Sequence, residues 1–158
     1  MNNRIDIIPP QSYLLRDEKD TGIEREMKDA GLYVNTLDLS AAGDILFVPV
    51  RGLYSHARRS MKLVGVFINN GARPVFGLKA TLRMKLRNTE TELGAVHLVF
   101  PHEFTGEIGP HTGLLVHITV PVQGLSANRR FSSSFFDSEL SDIEALTEKP
   151  KPPVSGGK

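Results

Sequence analysis

The chain has 158 residues, of which 40% are apolar, 7% aromatic and 23% charged, and its formal net charge is +1. This length and composition are typical of one globular domain with a substantial core. The absence of cysteine excludes disulfides, thiol nucleophiles, cysteine-ligated zinc and iron–sulfur clusters. No apolar run approaches the roughly 18 residues of a membrane-spanning helix, so the sequence predicts no transmembrane segment.

The first residues carry a charge or a proline every few positions and lack the apolar centre of a signal peptide. If this is the native N-terminus, we expect a cytoplasmic protein. If the chain is a piece of a longer protein, we expect an envelope-associated one.

We predict that residues 1–36 form an N-terminal extension. The isoleucines in Ile5–Ile8 favour a short edge strand stopped by Pro9 and Pro10. The segment Glu24–Ala30 is compatible with a short helix, and Gly31 follows it where a C-terminal cap would stand.

Residues 37–136 predict the main domain, whose central element is a β-hairpin over Lys62–Leu86 with its turn at Asn69–Pro74. Its second arm has a period of two, which gives one apolar and one basic face. A polar connection, Arg51–Ser60, leads into the hairpin. Further strands are predicted at Ile45–Val50, Glu92–Phe100 and Leu114–Val122.

Many short strands with little helix indicate an all-β fold, namely an antiparallel immunoglobulin-like β-sandwich with a short N-terminal extension and a minor helix. An open barrel is the alternative. In residues 137–158, Ser138–Leu146 is interpreted as a short helix, since Ser141 and Glu144 fit a capping box. The Pro- and Lys-rich segment Thr147–Lys158 predicts a disordered tail.

Charge is segregated along the chain. Residues 45–89 carry a net charge of +9 and no acid, whereas the segments before and after each carry −4. The predicted face for an anionic partner follows the second hairpin arm and is extended by the preceding connection; it comprises Arg58, Arg59, Lys79, Arg83, Lys85 and Arg87. Its partner would be nucleic acid, an anionic cell-wall polymer or an acidic protein. Alternatively, the acidic flanks, including Asp17–Asp29, fold back on this face within the molecule or in a symmetric oligomer.

Known catalytic patterns are missing. The five histidines lack the spacing of a metal site, the serines lack a nucleophile elbow, and no phosphate-binding glycine loop is present. We therefore predict no enzyme, no cofactor and no metal. A remaining candidate is an interaction segment with Phe131, Phe135 and Phe136, which either packs on its own domain or is donated to a neighbouring subunit as an added strand.

Three segments carry a family resemblance: Val64–Gly71 with Pro74–Leu78, Glu92–Val96 leading to Phe100, and Gly106–Pro110 before the last strong strand. Their order resembles the SLAP domain of Firmicutes, found in proteins linked to the accessory Sec system and S-layer assembly. It is also similar to the FxLYD-type immunoglobulin-like modules of bacterial envelope proteins. The resemblance spans residues 37–122 and implies a non-catalytic role in assembly or secretion.

Together these observations predict a non-enzymatic protein-interaction or assembly module, with a protein partner or a homo-oligomer. The alternative is a module that binds an anionic polymer, either nucleic acid or a cell-wall polyanion, through the basic face within residues 51–87.

Overall fold

The computed structural model describes residues 4–14, 21–39, 43–87, 91 and 93–149, and most of this part of the chain is β-structure. Its eight strands form two sheets. In chain order the elements are β1 (Asp6–Ile8), α1 (Gln11–Leu14), α2 (Thr21–Val34), β2 (Ile45–Ser55), β3 (Ser60–Asn69), β4 (Leu78–Leu86), β5 (Val96–Phe100), α3 (His102–Thr105), β6 (Thr112–Pro121), β7 (Arg129–Ser132), a 3₁₀ turn (Ser133–Phe135) and β8 (Phe136–Ala145).

The larger sheet has the strand order β1-β6-β3-β2-β7, and the smaller one has the order β5-β4-β8. All pairings are antiparallel except that of β1 with β6. The inner faces of both sheets share one core, in which Tyr54, Phe67 and Leu82 are almost fully buried. The fold is therefore a β-rich sandwich of two sheets, as the sequence predicts at this level. The predicted strands at 45–50, 92–100 and 114–122 are confirmed as β2, β5 and β6 with shifted ends.

The N-terminal residues form part of this fold. Strand β1 is an edge strand of the larger sheet, as predicted, and α2 packs on the outer face of that sheet. Ala30 and Val34 of the helix are fully buried there, in one cluster with Val66 of β3. The predicted cap at Gly31 is wrong, because α2 continues through it to Val34.

The predicted hairpin over Lys62–Leu86 is wrong. Strand β3 lies between β2 and β6, whereas β4 belongs to the other sheet, so Asn69–Pro74 leads the chain from one sheet to the other. The hairpin partner of β3 is β2, which extends through the predicted polar connection to Ser55. Strand β3 is apolar on both faces because the core covers one and α2 covers much of the other.

The predicted helix over Ser138–Leu146 is also wrong, because this segment forms most of β8 and pairs with β4. An irregularity in the pairing opposite Lys79–Thr81, with a positive φ of 52° at Asp142, interrupts the alternation of inward and outward side chains. Because of this β-bulge, the sequence of β8 does not show the period of two that is typical of a strand. The predicted tail from residue 150 onward lies outside the described residues.

Candidate functional site

The basic residues of β4 lie on the outer face of the smaller sheet, opposite an acidic strand. Lys79 is the register partner of Glu144, Arg83 of Glu139, and Lys85 of Asp137. Directly opposed residues in an antiparallel pair have Cβ atoms about 5 Å apart, so these charges attract one another across the strands. The larger part of the predicted anionic-partner face therefore has acids of β8 as cross-strand neighbours, although among the described residues Lys79, Arg83 and Lys85 form no ion pair and Arg83 donates a hydrogen bond to Oγ of Ser141.

Arg87 continues this arrangement just beyond β4. Its Nη2 lies 2.6 Å from Oδ1 of Asp137, and its Nε donates a hydrogen bond of 2.7 Å to the same oxygen. That hydrogen bond, together with the positive charges of Arg87 and Lys85, lowers the pKa of Asp137 below its ordinary value. The hydrogen bond to Asp137 likewise raises the pKa of Arg87.

Replacing Asp137 with asparagine is expected to reduce stability slightly at neutral pH and not at all in strong acid. The folded-state pKa of Asp137 is lowered, so its stabilising contribution is present above the unfolded-state pKa and is lost as pH falls through the folded value. The effect is small because both side chains are more than half exposed. Urea unfolding of both proteins across this pH range measures the difference, and a difference that grows in acid would contradict the assignment.

Arg58 and Arg59 do not extend the line of basic residues on β4. They lie in the exposed turn that joins β2 to β3, in the other sheet. The basic segment 45–89 is thus divided between the two sheets, and its halves have different surroundings.

Other basic residues of the segment 45–89 lie on the outer face of the larger sheet. Near β1 this face is apolar and lies under α2. Farther along, the register places a group of exposed side chains on the same side of β7, β2, β3 and β6. We call this group the open face; its members are Arg51, Leu53, Lys62, His117, Thr119 and Arg130.

No acidic residue of these four strands faces outward with the open face in the described register. One acid reaches it from the helix, because Oε2 of Glu26 lies 2.9 Å from Nη2 of Arg51 and 3.1 Å from Nε2 of His117. Lys62, Arg130 and the adjacent turn with Arg58 are not ion-paired with any acid among the described residues. The open face is therefore an exposed sheet surface with unmatched positive charge.

Sequence reasoning missed two parts of this surface. Arg130 lies outside the basic segment and joins it only because β7 pairs with β2. Glu26 belongs to the acidic N-terminal region, part of which was expected to fold back on the basic residues. It reaches Arg51, which was not among the residues of the predicted face. Glu24 and Asp29 of the same segment form no ion pair among the described residues, and residues 17–20 fall outside them.

The phenylalanines of the predicted interaction segment lie in their own domain. Phe131 and Phe136 are 2% and 5% exposed, and Phe135 packs edge-on against Phe131 with ring centroids 5.7 Å apart. The guanidinium of Arg129 covers the Phe131 ring at 4.8 Å from its centroid. This placement favours the alternative in which the segment packs on its own domain.

A separate open groove of about 1210 Å³ lies between β1 and the end of α2. Asn35 in its wall bonds both the N–H and the C=O of Ile5, which ties the end of the helix to the beginning of β1. Nδ1 of His111 is buried there and has no hydrogen-bond partner among the residues that the structure describes. Within the described ranges no group of three or more metal-ligating side chains converges, and no helix is long and apolar enough to cross a membrane.

Comparison of the chain with known proteins found no match among family models, curated proteins or solved structures.

Proposed function

We propose that this protein is a non-enzymatic interaction module whose docking surface for an anionic macromolecule is the open face. We further propose that its sandwich is of immunoglobulin-like type, an interpretation supported by two mostly antiparallel sheets that face one another across a single core. An assembly role in secretion or the envelope, implied by the family resemblance, is compatible with such a module.

The proposal rests on a difference between two regions that carry the same number of basic residues: acids lie opposite the cations in one region and not in the other. On β4 each of three cations faces an acid of β8, and such a surface offers little net attraction to an approaching polyanion. On the open face, Lys62 and Arg130 have no such neighbours in the register. Unmatched charges of one sign on one surface attract a partner of the opposite sign and speed its association.

This assignment places the anionic-partner face on the larger sheet, whereas the sequence predicts it mainly on β4. Arg58 remains beside it, at the end of β2, and Lys62, Arg130 and Leu53 are added. The β4 residues Lys79, Arg83 and Lys85 are assigned instead to holding β8 on the smaller sheet through opposed charges.

Removing two charges from the open face is expected to weaken binding to a polyanion roughly tenfold at low salt, since each partly exposed ion pair contributes up to about 1 kcal/mol. The variant Lys62→Gln with Arg130→Gln tests this on immobilised heparin, by the salt concentration at which the protein elutes. The matched control is Lys79→Gln with Arg83→Gln, which removes the same two residue types from β4.

We expect the open-face variant to elute at much lower salt than the wild type and the β4 variant to elute close to the wild type. Thermal unfolding of both variants confirms that they remain folded. Equal losses in the two variants would mean that only total charge matters and would contradict the proposal, as would a wild-type protein that heparin does not retain.

A further inference from the structure

Glu26 shows how the open face holds a carboxylate. Its contacts, Arg51 on β2 and His117 on β6, lie on either side of Val64 on β3, and all three are aligned across the sheet. We call them the occupied row. Val64 is 8% exposed, and the side chain of Glu26 is 16% exposed. The carboxylate of Glu26 therefore bridges a cation and an imidazole that flank an aliphatic residue on three neighbouring strands.

The next row along the strands has a similar order displaced by one strand, on β7, β2 and β3, and its side chains are exposed. Arg130 on β7, Leu53 on β2 and Lys62 on β3 are register partners, and we call them the open row. The cations are two strands apart, about 10 Å, and the two rows are separated by about 7 Å along the strands. Leu53 is 47% exposed, in contrast to Val64 in the occupied row.

We propose that the open row binds an acidic segment of a partner protein in which an apolar side chain is flanked by carboxylates. This inference rests on the proposed function and names the chemistry of its partner. Arg130 and Lys62 would each bond a carboxylate, as Arg51 bonds Glu26, and the partner's apolar side chain would cover Leu53. Arginine is among the residue types enriched at protein interfaces.

Two features favour a protein segment over nucleic acid. The strands of the open face present no outward phenylalanine, tyrosine or tryptophan in the described register, and the imidazole of His117 is bonded to Glu26, whereas bases bind sheet surfaces largely by stacking on free aromatic rings. An exposed leucine between two cations gives a phosphate backbone nothing to contact, whereas burying it against another aliphatic side chain is favourable.

The test compares three probes of equal charge by fluorescence anisotropy. The first is a peptide of Glu-Leu-Glu units separated by Gly-Ser, the second has serine in place of each leucine, and the third is an oligothymidylate. We expect the leucine peptide to bind about fivefold or more tightly than the serine peptide, because burying its side chain against Leu53 removes apolar surface from water; a fivefold preference corresponds to about 1 kcal/mol. Oligothymidylate should bind more weakly than the leucine peptide.

The variant Leu53→Ser is expected to abolish the preference for the leucine peptide and to leave binding of the serine peptide unchanged. Val99→Ser is the matched control, because Val99 is an exposed aliphatic residue on a strand of the other sheet; it should keep the preference. Lys62→Gln with Arg130→Gln should weaken both peptides.

Each other outcome contradicts either this inference alone or both this inference and the proposed function. A preference that survives Leu53→Ser, or oligothymidylate binding that exceeds peptide binding, overturns this inference and leaves the proposed function standing. Binding of none of the three probes overturns both. Self-association in light scattering that Lys62→Gln with Arg130→Gln abolishes would assign the open row to a second copy of the chain, and would also overturn this inference.

Discussion

Replacing Asn69 with alanine is expected to lower the free energy of unfolding by about 2–4 kcal/mol, because three backbone groups, one in a buried and two in partly buried hydrogen bonds, lose their partner at once. Asn69 ends β3 and is 2% exposed. Its amide donates hydrogen bonds of 2.7 Å to the carbonyl of Arg73 and 2.9 Å to that of Ile108, and its Oδ1 accepts one of 3.1 Å from the N–H of Gly71.

These bonds fix the turn where the chain leaves the larger sheet for the smaller one. Urea unfolding measures the loss, and Asn70→Ala is the control. Asn70 is also an asparagine in this turn, but it is partly exposed and bonds the carbonyls of Leu39 and Gly43. We expect the control to lose less than about 1 kcal/mol, since water replaces its partners. Equal losses in the two variants would show that Asn69 has no special role in the crossing.

Replacing Gly65 with alanine is expected to cost about 1–3 kcal/mol, a typical price of overpacking a core. A methyl group on Gly65 would overlap the ring of Phe47 on the neighbouring strand β2. That ring packs against Phe67 with centroids 4.8 Å apart and is 8% exposed, so it has little room to move away.

Gly43→Ala is the control for this prediction, since no atom lies within 4 Å of the added methyl group. We expect the control to change stability by less than about 0.5 kcal/mol. Thermal and urea unfolding compare the two variants. If Gly65→Ala were as stable as the control, this result would contradict the tight contact between β2 and β3 at this point.

The period of two predicts which side chains of β4 face inward, and the structure confirms it, because alternation depends only on strand geometry. Alternation does not identify the neighbouring strand. The apolar arms at 62–69 and 76–86 were interpreted as one hairpin because they are adjacent in sequence, but the buried side chain of Asn69 directs the chain across the core instead.

The candidate site was predictable only in part for the same reason. Composition identifies a basic segment, but strand pairing decides which of its charges meet acids. Lys79 and Lys85 face acids because β8 pairs with β4, whereas the spacing of Ser141 and Glu144, which fits a helix capping box, made β8 resemble a helix in the sequence. Arg130 joins Lys62 through two strand pairings that no local pattern indicates.

We expect an acidic partner to bind the open face and not the β4 face. The most direct measurement is a titration of ¹⁵N-labelled protein with the Glu-Leu-Glu peptide, followed by amide chemical shifts. We expect saturable shifts at Leu53, Lys62 and Arg130 and little change along 79–87 and 137–144. Shifts concentrated on β4 and β8, with the open face unchanged, would contradict this expectation.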